Sequence, residues 1–74
     1  MRLPTDRHGF LNWIARIILT EYYEEYNAET GNNETYDEDE VAVLVETTEL
    51  WLDNDKPDAT EHEVISFMFD NRRV

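Results

Sequence analysis

The sequence contains no cysteine, a single lysine, two glycines and two prolines in 74 residues. Without thiols there is neither a disulfide nor a thiolate zinc site to support a core. A chain of this size buries only about 60% of its unfolded surface. Gly9 and Gly31 stand too far apart to build a glycine-rich phosphate loop. A long hydrophobic run is missing as well. The longest, Phe10 to Leu19, is interrupted by Asn12 and Arg16, reaches only about half the length that spans a bilayer, and is followed by no small-residue cleavage site. The expectation is one soluble, cytoplasmic domain over residues 1–74, folded around the 41% of its residues that are apolar.

Positive charge is equally scarce. Arg2, Arg7, Arg16, Lys56, Arg72 and Arg73 are the only basic residues, against eighteen carboxylates and a formal net charge of −12. Between Ile17 and Asp55 there is no Lys or Arg, while that stretch holds thirteen carboxylates. Direct binding to nucleic acid or to an anionic membrane needs clustered cations and is excluded as an expectation. Uncompensated like charge opposes compaction, so ion pairing, salt or a cationic partner has to offset it.

The apolar pattern predicts an all-α domain of three helices, over about residues 6–27, 37–53 and 60–72. Pro4 precedes the first helix, and Thr5 or Asp6 can cap it. Phe10, Ile14 and Ile18 form an i, i+4 ladder flanked by Leu11 and Ile17, and Asn12, Arg16, Thr20 and Glu24 form a narrow polar line. A helix apolar on so much of its surface is normally covered on more than one side. The line Trp13–Ile17 then continues as Glu21 and Glu25, so the core stripe must drift or the helix must project. Residues 28–36 read as a loop around Gly31 and Asn32.

Thr35 with Glu38, and Asp37 with Glu40, both match the capping-box spacing for a second helix. Its stripe is Val41, Leu44, Val45, Thr48, Trp51 and Leu52, with Val43 and Leu50 pointing elsewhere. Val41–Val45 is β-branched enough to suit a strand, but no second strand offers itself as a partner. After a turn at Lys56-Pro57, Thr60 and Glu63 form a third capping box. Arg72 and Arg73 suit the C-terminal end of the third helix.

Motifs for chemistry fail on inspection. Asp53-Asn54-Asp55 opens like a calcium loop, but its next ligand position is Pro57, its turn glycine is Asp58, and its twelfth position is Val64. A zinc-protease pair with His62 would need histidine where Ser66 stands. A di-iron motif would need glutamate where Ala59 stands. His8 and His62 read as lone histidines. Carboxylate pairs are abundant, but eighteen acids make pairs inevitable, and three short helices offer no evident concave pocket to shift their pKa values. No catalytic residue, metal or cofactor is expected.

Surfaces remain. Carboxylates at i, i+4 lie about 6 Å apart along a helix, and duplex DNA carries a charge every ~3.4 Å per strand. Rows of Glu and Asp can approximate a phosphate track and occupy the cationic groove of a nucleic-acid-binding protein. The candidate partner-binding residues are Glu21, Tyr23, Glu24, Glu25, Asp37, Glu38, Asp39, Glu40, Glu46, Glu49 and Asp53. Tyr23, near the polar line, is the tyrosine best placed for an interface, whereas Tyr22 and Tyr26 continue the core ladder. In size and charge the chain resembles the DNA-mimic inhibitors carried by phages and mobile elements. The likeness is one of general character only; the expectation of an inhibitor of a basic, nucleic-acid-binding protein comes from the thirteen-carboxylate stretch without Lys or Arg.

Two other readings stand beside it. A lysine-poor acidic surface also suits a high-salt cytoplasm. Excess apolar surface at Trp13, Val43 and Leu50 suits self-association as a homodimer, in a structural or adaptor subunit whose acidity serves solubility. The same surface is equally accounted for by a middle helix sandwiched between the other two.

Overall fold

The computed structural model describes residues 6–72. Three helices follow one another: α1 (Arg7–Thr30), α2 (Glu38–Asn54) and α3 (Glu61–Asp70). Among the described residues there is no strand, and Val41–Val45 is helix. Its buried residues, Val41, Leu44 and Val45, fall at i, i+3, i+4, and burying that face outweighs the β preference of the two valines.

Each helix starts on a side-chain cap. The Asp6 carboxylate accepts from the Gly9 amide at 2.9 Å. A Cβ on residue 9 would collide with that carboxylate, so Gly9 admits the cap. Thr5 and Pro4, the other features expected at this end, lie outside the described residues, as do Arg2 and Arg73. At α2 the capping box is Asp37 with Glu40 rather than Thr35 with Glu38. At α3 it is Thr60 with Glu63, as expected.

The helix ends differ from the expectation. α1 continues three residues beyond 27, because Ala28 and Glu29 tolerate helix and the stop is Gly31, at φ +77°, whose amide donates to the Asn27 carbonyl at 2.8 Å. Asn27 then staples the loop: its Nδ2 donates to the Glu34 carbonyl and its Oδ1 accepts from the Glu34 amide, at 2.8 and 2.9 Å. α3 stops at Asp70, two residues short of the expected end. The Asn71 side chain donates to the Phe67 carbonyl at 2.8 Å, and Arg72 Nη1 to the Phe69 carbonyl at 2.6 Å.

The core joins Leu11, Ile14, Ala15, Ile18 and Leu19 of α1 to Val41, Leu44, Val45 and Leu52 of α2 and Val64 and Met68 of α3. Its centre on α1 is shifted from the expected ladder. Leu11, Ala15 and Leu19 are fully buried, Phe10 is only half-buried, and Ile17 is exposed. Trp51 stacks on Phe67 with ring centroids 4.2 Å apart and planes at 8°, which fixes α3 against α2. α1 packs against both α2 and α3, so the bundle is a triangle and not a sandwich about α2. The outer side of α2 is consequently left open. At about 1.5 Å per residue the 24 residues of α1 span about 36 Å, most of the 40 Å long axis of the molecule.

Candidate functional site

Ion pairing divides the acidic residues into two groups. Arg7 reaches Asp53 at 3.0 Å and Glu49 at 3.6 Å. Glu49 also lies 3.2 Å from His8 Nδ1. Arg16 grips Glu38 with two guanidinium nitrogens, at 2.8 and 2.6 Å, while its Nε donates to Asn12 at 2.8 Å. The hydrogen bonds from Arg16 hold the Glu38 carboxyl below the usual carboxylate range, and Glu38, with the Tyr36 hydroxyl as a lesser contributor, raises the guanidinium pKa further. Lys56 sits 3.3 Å from Glu63. Of the candidate partner-binding residues, Glu38, Glu49 and Asp53 are therefore spent on clamping α1 to α2.

Three more candidates are internal fittings. Asp37 and Glu40 cap α2, and the Tyr23 hydroxyl lies 3.0 and 2.8 Å from the two Glu40 oxygens. That hydrogen bond, then burial, then the Glu40 charge push the Tyr23 phenol up to about 12. Tyr23 is half-buried and joins helices. The Asp37–Glu40 box has a local signature, but the pairing of Glu38, Asp53 and Tyr23 across 17 to 46 positions of chain has none.

Glu21, Glu24, Glu25, Asp39 and Glu46 remain. All are exposed, and none is within salt-bridge distance of a Lys or Arg among the described residues. Glu21 and Glu24 lie on the Trp13–Ile17 side of α1, Glu25 borders a small concavity beside Arg72, Asp39 stands in the first turn of α2, and Glu46 borders the groove between α1 and α2. Glu21 and Glu24 border a shallow groove of about 340 Å³ whose other walls are Trp13, Arg16, Ile17 and Thr20. Trp13 is 60% and Ile17 42% exposed. The structure thus places a residue expected in self-association beside two expected in partner binding. Ile17 belongs with them, not with the core. The sequence signal was the line Trp13–Ile17–Glu21, which departs from the core stripe.

Val43 and Leu50, at 49% and 55% exposure, occupy the outer side of α2. Because the core lies between the helices, the outer sides of α1 and α2 face different directions. Trp13 does not share a patch with Val43 and Leu50.

Two further concavities exist. His8, Asn12, Glu38, Val41 and Glu46 help line a groove of about 320 Å³ between α1 and α2. A smaller one, of about 150 Å³, is lined by Tyr22, Glu25, Tyr26, Glu29 and Arg72. The Arg72 guanidinium lies 3.9 Å from the Phe69 ring centroid and 6.0 Å from that of Tyr22, a use of this cation not foreseen from its place at a helix end. Tyr22 and Tyr26 are only half-buried.

Among the described residues no three His, Asp or Glu side chains converge to hold a metal ion. No described helix is long and apolar enough to cross a membrane. No family model, curated protein or solved structure matches the chain.

Proposed function

We propose that the chain binds a basic, nucleic-acid-binding protein and inhibits it by occupying its cationic surface with helix-borne carboxylates. The observation that carries this reading is the division of the charges. Arg7, Arg16 and Lys56 are ion-paired at the surface to Glu49, Asp53, Glu38 and Glu63, and Arg72 lies against the Phe69 and Tyr22 rings, while Glu21, Glu24, Glu25, Asp39 and Glu46 stay exposed with no salt bridge to a described Lys or Arg. Their repulsion is a standing cost in the free protein, and a cationic partner relieves it.

The test compares the wild type with a Glu21→Gln/Glu24→Gln/Asp39→Asn/Glu46→Gln variant as baits in lysate of the source cell. The expected result is a basic protein retained by the wild type, lost by the variant, and displaced from its nucleic acid by the wild-type chain. If both baits retain the same proteins, or if the retained protein binds nucleic acid undisturbed, the reading fails. Neutralising Glu38 and Glu40 would be a poor test, because it also breaks the Arg16 clamp and the cap of α2.

A second reading has its own observation. Val43 and Leu50 are both about half exposed on the open side of α2, which suits a structural or adaptor subunit packed into a helical oligomer. There, Leu50→Asp dissociates an assembly seen by sedimentation. A wild type that sediments as a monomer at micromolar concentration excludes it.

A further inference from the structure

We infer that the outer face of α1 is a docking groove for an amphipathic, basic helix of the partner, seated with its apolar residues on Trp13 and Ile17 and its cations on Glu21 and Glu24. This rests on the reading of the chain as a binder of a basic protein and says which face does the work and what shape it takes.

The groove is linear and segregated. Trp13 and Ile17 are one turn apart, and Thr20, Glu21 and Glu24 continue the same side of the helix. From Trp13 to Glu24 the stripe runs about 16 Å at the rise of an α-helix. It is apolar at one end and acidic at the other. Arg16, the one cation on its wall, is already held by Asn12 and Glu38 and leaves Glu21 and Glu24 unneutralised. An indole exposed to this extent beside carboxylates is a poor solvent face and a good platform for an aliphatic side chain or a stacked guanidinium.

Charge complementarity selects the occupant. A second copy of this chain, with formal net charge −12, would set Glu21 and Glu24 against a surface dominated by further carboxylates. A nucleic acid or an anionic membrane is repelled for the same reason. A flat basic surface meets the carboxylates but leaves the Trp13–Ile17 end uncovered. A helix with aliphatic residues at i, i+4 and Arg or Lys on the following turns of the same face matches both ends, as helices lying in apolar grooves do.

The test uses a synthetic helical peptide of about five turns with that arrangement of Leu and Arg, and a scrambled peptide of the same composition whose Leu and Arg share no face. Affinity is read by calorimetry at low and moderate salt, and the contact surface by backbone amide shifts. The helical peptide is expected to bind the wild type at least about tenfold more tightly than the scrambled one. Trp13→Ala/Ile17→Ser is expected to erase that preference, and Glu21→Gln/Glu24→Gln to weaken binding and flatten its salt dependence. The second pair leaves the apolar packing untouched, so a folding defect in the first does not decide the outcome.

Equal affinity for both peptides, or wild-type affinity in both variants, overturns the inference. If the peptides bind, but shifts and Asp39→Asn/Glu46→Gln locate them on α2, the α1 groove is wrong and the basic partner stands. If no basic peptide binds even at low salt, both fall. A dimer in sedimentation that Trp13→Ala dissociates replaces the basic helix by a second copy and overturns the inference as well.

Discussion

The Tyr23 hydroxyl lies within 3.0 Å of both carboxylate oxygens of Glu40, and Glu40 is itself the reciprocal member of the box that caps α2. One phenol therefore ties the middle of α1 to the first turn of α2. The raised phenol pKa sets a pH window. Tyr23 is moved from 10.0 up to about 12 in the folded state. A group whose folded pKa is raised contributes stability that is complete below its unfolded pKa and is lost as pH rises through its folded one. The wild type is therefore expected to lose thermal stability between pH 10 and 12. Tyr23→Phe is expected to start about 1 kcal/mol less stable at neutral pH, a low value for a charge-assisted bond because both side chains are only half-buried. Its alkaline loss is expected to be shallower. Parallel melting curves against pH decide the matter, and identical alkaline slopes would remove the Tyr23–Glu40 bond from the account.

The Arg16–Glu38 clamp gives the opposite window. Glu38 is lowered from 4.5, chiefly by the hydrogen bonds from Arg16, and Glu63 is lowered by the Thr60 backbone, with Lys56 adding to it. Depressed folded values mean stability that is present above about pH 4.5 and is lost as pH falls through them. Glu38→Gln is expected to lower the melting temperature at neutral pH and to soften the acid transition. In an Arg16→Met background the same change is expected to do little more, since the pair acts as one unit. Additive losses in that double-mutant cycle would mean the two residues act independently.

How much of this was legible beforehand depends on whether the information is local. The Asp37–Glu40 and Thr60–Glu63 boxes lie within one turn, so the starts of α2 and α3 were readable to within a residue. Val43 and Leu50 were readable as outward-facing, because they depart from a well-marked stripe. The end of α1 lies three residues beyond the expected one because Ala28 and Glu29 are good helix formers and the stop comes at Gly31, which adopts the left-handed conformation. The α1 core face includes the expected Leu11, Ile14 and Ile18 and extends to Ala15 and Leu19, because α1 packs on two helices at once. That arrangement centres burial on Leu11, Ala15 and Leu19 and leaves Ile17 outside. Outside the two capping boxes, which acids are paired and which are free depends on contacts between helices, which leave no local pattern.

The core invites a paired test. Thr48 is the single buried polar residue among those described, and its hydroxyl donates to the Leu44 carbonyl, one turn back, at 2.7 Å. That carbonyl belongs to the helix ladder, so removing the hydroxyl orphans no group. Thr48→Val keeps the shape and is expected to be neutral or stabilising by up to about 1 kcal/mol. Leu44→Ala, at a fully buried site, is expected to cost about 2–5 kcal/mol. For a chain this small that is a large share of a total on the order of 4–11 kcal/mol. Denaturant midpoints for the two variants are the readout, and a Thr48→Val loss comparable to that of Leu44→Ala would point to a hydroxyl partner other than Leu44.

The unpaired acids separate a partner-binding role from adaptation to salt. If Glu21, Glu24, Asp39 and Glu46 exist to meet a cationic partner, their mutual repulsion burdens the free protein. Replacing all four by Gln or Asn is then expected to raise the melting temperature at low ionic strength. The gain is expected to disappear as salt screens the charges, because the Debye length falls to about 3 Å at 1 M. The same variant is expected to lose binding to the basic helical peptide. An acidic surface kept for a high-salt cytoplasm behaves the other way: the wild type melts early in dilute buffer, folds fully only near molar salt, and precipitates there once the four carboxylates are neutralised. Melting temperature and solubility, followed across salt for both chains, therefore assign the acidity to a partner or to the solvent, and the assignment does not depend on knowing the partner.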